Sequence, residues 1–421
     1  MIKINFRLQF FSLIVFFFIV TQLQAQTGTL SPYSRYGIGE SRFNGFASQH
    51  AMGGLGTALQ TAGRLNFSNP ASYVADTLTT VEIGVEGMLE KLTDANNSIN
   101  KRNVNMSYLA LGFPILKHYW GMSIGITPYS AVGYDIAESI NGVNYFYQGS
   151  GSINRFYIGN GFKVAKDFYV GFNTSYLFGS INRTRKVEFN ESGFYNNRYI
   201  NTITISSILL DFGLQYRIHL KKNYQLMVGV SGSNSNKINA RRTLLWENYV
   251  KPAEDVTYSK DTIEYVHNEA GKITFPTNIT GGLYLSKNTN WGVGVDVNYQ
   301  DWSKYKAFDA AGTLDKGMKI SIGGQWMPDA KSLKYFNRAE YRIGGFYNQG
   351  YLKVKNTAIN ETAITAGIGM PLRKSFQSMI NISFEFGERG TVKDNLVKER
   401  YGKIFIGITF NEDWFHKHRY D

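Results

Sequence analysis

The chain is 421 residues long, carries a formal charge of +13, and contains 43 Gly, 29 Phe, 28 Tyr, 8 Pro and no Cys. Without cysteine, neither a disulfide-stapled scaffold nor a lipid-modified lipoprotein is open to it. The basic excess belongs to a chain that begins like an exported one, which argues against nucleic acid as a partner and points to the lipid phosphates and anionic glycolipid of a membrane surface, with an anion-favouring lumen as the weaker alternative.

Lys3 and Arg7 form a positive start, Leu8 to Val20 is almost wholly apolar, and Ala25 offers a small residue for cleavage. Residues 1–25 are expected to be a signal peptide cut before Gln26, because the apolar run is shorter than the roughly 20 residues a membrane helix needs. Residues 26–78 do not alternate and are rich in Gly, Ser and Asn, as in Met52-Gly53-Gly54-Leu55-Gly56 and Asn66-Phe67-Ser68-Asn69-Pro70-Ala71. They read as a compact segment of turns and short helices, suited to plugging a lumen.

From residue 79 to 410 the sequence reads as 14 strands joined by loops of alternating length, with a 411–421 tail. The spans include 79–91, 119–131, 167–182, 203–219, 224–237, 272–286, 290–300, 375–388 and 401–410. Period-2 patterns are strict in several. Trp291, Val293, Val295, Val297 and Tyr299 share one face against Gly294, Asp296 and Asn298, and Ile380, Ile382, Phe384 and Phe386 oppose Ser383 and Glu385. Turns after even-numbered strands are mostly short, as at Ala165-Lys166 and Lys221-Lys222-Asn223, and loops after odd-numbered strands are long, peaking at the stretch between Ile238 and Gly271. That asymmetry is the signature of an all-β, 14-stranded antiparallel transmembrane barrel, with short periplasmic turns and long outer loops. On this map Trp120, Trp291 and Trp326 are aromatic anchors at the inner interface and Trp302 one at the outer rim.

Several blocks, in order, resemble the FadL family of outer-membrane transporters for hydrophobic compounds, and in particular its PorV-like Bacteroidetes branch. They are Gly53-Gly54-Leu55-Gly56-Thr57-Ala58 with Asn69-Pro70-Ala71, Gly125-Ile126-Thr127-Pro128-Tyr129, Phe275-Pro276, Tyr299-Gln300-Asp301-Trp302-Ser303, Tyr341-Arg342-Ile343-Gly344-Gly345-Phe346-Tyr347 and Ile364-Thr365-Ala366-Gly367-Ile368-Gly369-Met370-Pro371-Leu372. The resemblance implies an N-terminal hatch around Gly53, Gly54, Gly56, Asn69, Pro70 and Ala71. It also implies a kinked third strand that opens the wall sideways. Pro128 cannot donate to a sheet ladder, and Gly125 and Gly133 loosen the strand around it, so either a lateral opening or a simple bulge fits the residues.

Other motifs carry less. Asp301-Trp302-Ser303 is either a capped, interfacial strand end or a loop contact at a ligand entrance. His416 and His418 near Asp413 fall short of the three or four convergent ligands of a zinc site, so no metal or other cofactor is expected. No nucleophile elbow, Walker sequence or dinucleotide fingerprint occurs, and charges on the lumen face are ordinary for a water-facing barrel, so the chain is not expected to be an enzyme. The leading expectation is passive uptake of a hydrophobic ligand past the hatch and out through the wall. The alternative is a non-catalytic, PorV-like subunit or scaffold of an outer-membrane secretion or barrel-assembly complex.

Overall fold

The computed structural model describes residues 28–42, 45–191, 193–234, 237–253, 256–288, 290–308, 310–311, 314–372 and 375–413. The expected signal peptide and the His416 and His418 pair lie outside these residues.

Fourteen antiparallel strands form the wall. They are β1 Thr79–Thr93, β2 Ser98–Leu116, β3 Trp120–Ile140, β4 Val143–Ala165, β5 Phe168–Phe189 and β6 Asn196–His219. β7 follows in two pieces, Tyr224–Ser233 and Lys237–Ala253, and β8 in two, Val256–Thr274 and Asn278–Lys287. Then come β9 Trp291–Asp301, β10 Lys316–Trp326, β11 Glu340–Gln349, β12 Glu361–Leu372, β13 Ser375–Gly390 and β14 Lys398–Glu412. Neighbours in sequence pair with each other, and β1 pairs with β14 from Thr79↔Glu412 to Thr93↔Lys398, which closes the cylinder. Closure joins the first strand to the last, so the sheet has no terminal edge strand, as strands that span a bilayer require. Among the described residues no helix is long and apolar enough to cross a membrane.

The alternation read from sequence is the inside–outside alternation of this wall. On β9 Val293, Val297 and Tyr299 are exposed to the lipid side, and Asp296 is buried toward the lumen. On β13 Phe384 and Phe386 face out while Ser383 and Glu385 face in. Trp291 and Trp326 are paired in register at the short-turn rim, and Trp120 opens β3 at that rim.

Three features differ from the sequence reading. The stretch between residues 238 and 271 is not a loop: Lys237–Ala253 and Val256–Thr274 pair as an antiparallel hairpin, which also pairs with the upper half of β6 (Ile205↔Ala240 to Asn196↔Tyr249). The stretch is rich in Val, Ile, Thr and Tyr, which suits strands. Residues 256–265 of its outer strand, Val256–Thr274, are nonetheless exposed on both faces, so that part lacks the apolar alternation that betrays a half-buried strand. Trp302 is not a lipid-facing anchor. It is 3 % exposed, because the chain leaves β9 at Asp301 and turns inward as a 3₁₀ turn, stacking Trp302 on Tyr351 at 4.4 Å. Finally, β14 runs on to Glu412, past Phe410, because Asn411 pairs with Thr80.

Candidate functional site: the plugged lumen and the seam in its wall

The lumen is filled from the N-terminal side. Residues 46–76 form a plug built on a short helix, Ala47–His50, and a 3₁₀ helix, Pro70–Ala75. Asn69 caps the second helix: its Oδ1 accepts from the Ala71 N–H at 3.1 Å, and Pro70 opens the helix where no N–H is needed. The Asn69 amide also donates to the carbonyls of Thr57, Leu214 and Val230, so one side chain ties the plug to itself and to two wall strands. Ala71 is fully buried.

The remaining hatch glycines sit against other strands. Gly53 has φ +68°, its N–H donates to Thr365 Oγ1 at 2.8 Å, and a Cβ there would come within 2.5 Å of the Gly345 carbonyl oxygen. Gly54 is likewise left-handed, and its N–H donates to the Gln49 carbonyl. One oxygen of Asp296 accepts from the N–H groups of both Gly56 and Thr57, each at 2.9 Å. Further bonds come from other sides: Ala47 N–H to Tyr108 Oη at 2.9 Å, Asn411 Nδ2 to the Gly63 carbonyl at 2.9 Å, and Gln215 Nε2 to the Thr57 carbonyl at 3.0 Å.

Inward wall glycines make this closeness possible. Gly121, Gly171, Gly213, Gly229, Gly323 and Gly344, on six different strands, lie against plug atoms so closely that any side chain would strike them. Gly in a strand weakens the strand but lets another backbone approach. Here that backbone is the plug's, and a good part of the chain's high glycine content follows.

Above the plug lies a cavity of about 390 Å³. Its lining is mixed. Trp302, Phe275 and Tyr351 contribute apolar surface, but Glu86, Asp211, Asp296, Glu385, Arg389 and Lys403 also line it. Most of these charges are paired: Arg42 with Glu86 at 2.7 Å, Lys403 with Glu385 at 3.3 Å, Arg155 with Asp211 at 3.5 Å, and Arg389 with both Glu40 and Glu399. His50 is buried, stacked on Phe405. An apolar layer then closes the outer end, where Ile38, Val132, Leu177, Ile205, Trp302 and Leu352 belong to one buried cluster.

The wall is not uniformly paired. β2 and β3 pair from Leu116↔Trp120 to Leu109↔Ile126, and there the ladder stops. Beyond it β2 pairs with β1, and β3 with β4. The register of β3 against β4 slips between Pro128 and Ser130, so Tyr129 is an extra residue; its ring stacks on Phe275 at 5.6 Å inside the barrel. Gly125 lies in the last paired stretch of β3, opposite Ala110. The edge that β2 abandons is taken by the N-terminal segment. Glu40 and Ser41 pair with Ala131 and Ser130, Arg42 N–H donates to the Tyr129 carbonyl, and Gly133 N–H donates to Ser34 Oγ at 3.0 Å. Gly39, at φ +95°, is pressed so closely on β3 that a Cβ would stand 2.6 Å from Val132 Cγ2. Sequence reasoning marked Pro128 but missed the two-residue strand at Glu40–Ser41, which is too short to leave a periodic signal.

Against known proteins, the BamG family matches residues 1–421. Among solved structures the fold is similar to the toluene transporter TbuX of Ralstonia pickettii (TM-score 0.60, 14 % identity, covering 88 % of this chain and 99 % of that one). It is also similar to the toluene transporter TodX of Pseudomonas putida (TM-score 0.58, 15 % identity, 89 % and 99 %). A FadL homologue from Pseudomonas aeruginosa follows at TM-score 0.55, with 10 % identity and 90 % and 100 % coverage. No curated protein sequence matches the chain. At these identities the likeness establishes the fold, a FadL-type barrel with an N-terminal plug.

Proposed function

The chain belongs to the BamG family, and we propose that it serves as a plugged, non-catalytic subunit of an outer-membrane complex that secretes proteins or assembles barrels. The observation that carries this reading is how the lumen is occupied. The plug is hydrogen-bonded to wall strands on several sides, and the space above it is lined by ion pairs. A passive route for apolar molecules needs a continuous apolar path and a plug that moves. An apolar solute lodged among these charges displaces the water that solvates them and offers no hydrogen bond in return, which is unfavourable. A scaffold needs neither property.

A second reading, passage of a hydrophobic small molecule, is favoured by one specific observation: the seam between β2 and β3, next to Pro128 and covered by residues 28–42. The relatives of similar fold include toluene transporters. On that reading a solute enters at the apolar outer layer and leaves through the seam into the bilayer.

The test is the native mass of the protein extracted from its own membrane in mild detergent, with co-purifying chains identified. Stable recovery in a large assembly is the expected result. Recovery as a lone barrel that supports hydrocarbon uptake in reconstituted vesicles would overturn the subunit reading and leave the second.

A further inference from the structure

The short-turn rim carries one exception to its own rule. The connection between β10 and β11, residues 327–339, is far longer than its neighbours, yet it is built rather than slack. Asp329 N–H donates to the Asn337 carbonyl at 2.9 Å, Asn337 Nδ2 donates to Ser332 Oγ at 3.1 Å, and Tyr335–Arg338 forms a 3₁₀ turn. This frame holds Leu333 fully exposed and Phe336 65 % exposed.

Its contacts say which way it leans. Tyr341 shares the outer face of β11 with Ile343, which is 70 % exposed, whereas Glu340 and Arg342 point inward and are buried. The Tyr341 hydroxyl donates to the Phe336 carbonyl at 3.1 Å, and its ring lies 5.8 Å from Trp326. The Tyr335 hydroxyl donates sideways to the Pro371 carbonyl at 3.0 Å. The loop is therefore tied to the lipid-facing side of the rim, beside the aromatic girdle. Its charge is one-sided. Lys331 and Lys334 are exposed, Arg338 lies over the Tyr335 ring, and the single acid, Asp329, accepts from the Lys331 N–H within the loop.

We infer that residues 327–339 form a membrane-docking element that sinks Leu333 and Phe336 into the inner leaflet of the outer membrane. Lys331 and Lys334 engage anionic phospholipid headgroups there. Aromatic and aliphatic side chains flanked by cations favour that boundary, and each cation near an anionic surface is worth about fivefold in partition.

The chain has no cysteine, so Leu333→Cys in the full protein accepts a single environment-sensitive fluorophore, with Glu191→Cys on an outer loop as the aqueous reference. The labelled protein goes into phosphatidylcholine nanodiscs with and without phosphatidylglycerol. The expected result at position 333 is blue-shifted emission, quenching by lipid-borne spin labels and protection from iodide, stronger with phosphatidylglycerol. Adding Lys331→Gln or Lys334→Gln lowers the phosphatidylglycerol preference about fivefold each. Water-like, iodide-quenched emission in both bilayers would overturn the docking element. Equal insertion with and without phosphatidylglycerol would overturn the headgroup contact. Protection that arises only when a co-purified protein is added back would assign the loop to a protein partner instead.

Discussion

Replacing Asp296 by Ala tests whether the wall holds the plug. One Asp296 oxygen accepts from the buried N–H groups of Gly56 and Thr57, both at 2.9 Å. A hydrogen bond to a charged group contributes about 1.5–3 kcal/mol, and an orphaned buried N–H costs about 1–3 kcal/mol. Removing the carboxylate also removes its own desolvation cost, so the net loss is smaller than the sum, about 2–4 kcal/mol. At about 1.4 kcal/mol per tenfold, the plug would visit an unseated state roughly thirty- to a thousandfold more often. Amide hydrogen exchange of the protein in nanodiscs reads this directly, since local opening sets the exchange rate of the segment that opens. Peptides from residues 46–76 should lose protection by that factor while the wall strands keep theirs. Asp296→Asn, which retains one acceptor, should lose about tenfold or less. Plug amides that exchange at the parental rate in Asp296→Ala, with the wall intact, would refute the idea that this contact seats the plug.

Gly39→Val should unseat the N-terminal segment from the edge of β3, because Gly39 combines a φ of +95° with a backbone neighbour where a side chain would go. Protease cleavage between residues 28 and 42 in the membrane-embedded protein should become at least tenfold faster, and an unchanged rate would show that the seam is sealed otherwise. Trp302→Ala removes the ring stacked on Tyr351 from the apolar layer over the lumen and should cost about 3–5 kcal/mol, read as faster exchange in the outer loops. Acid should loosen the β1–β2 turn. The N–H groups of Asn96 and Asn97 bond the Asp94 carboxylate and hold its pKa below the usual value. A depressed pKa gives stability that is complete above the unfolded value, near pH 4, and lost as pH falls through the folded one. The amides of residues 96 and 97 should therefore keep their protection from pH 7 to about pH 5 and lose it below about pH 4; Asp94→Ala should abolish the pH dependence.

What the sequence made legible was whatever the bilayer dictates. A strand with lipid on one side and plug or water on the other must alternate, so β9 and β13 could be read residue by residue, and so could the count of 14 and the closed antiparallel wall. Where both faces of a strand meet water, as over residues 256–265, the constraint vanishes and so does the signal. Trp302 failed for a different reason. Trp at a strand end suits a lipid interface and a buried lid equally well, and only the path of the chain after Asp301 decides between them. The glycines facing the plug were counted but not understood. Each owes its identity to a segment more than forty residues away in the chain, a relation that no local pattern contains.

The seam and the lumen are one electrostatic unit, which bears on what force opens them. Glu40, which pairs with Ala131 of β3, and Arg42, two residues on, are also ion-paired to Arg389 and Glu86 of the wall. Withdrawing that segment sideways breaks both pairs, whose side chains are largely buried. Leaving a buried charge without its partner costs about 3–5 kcal/mol, which is the case of Glu86 without Arg42; the loss of Glu40, smaller because Arg389 keeps Glu399, and the segment's hydrogen bonds to β3 add to it. A single aromatic ring buries roughly 150–250 Å², worth about 4–6 kcal/mol at full burial, from which its own ordering must be subtracted. Such a solute falls short of opening the seam by itself. A protein partner burying about 1,600 Å² has several times that area to draw on. The energetics thus favour an N-terminal segment that stays in place unless a larger binding energy than one small ring engages it, which is what the proposed subunit reading requires.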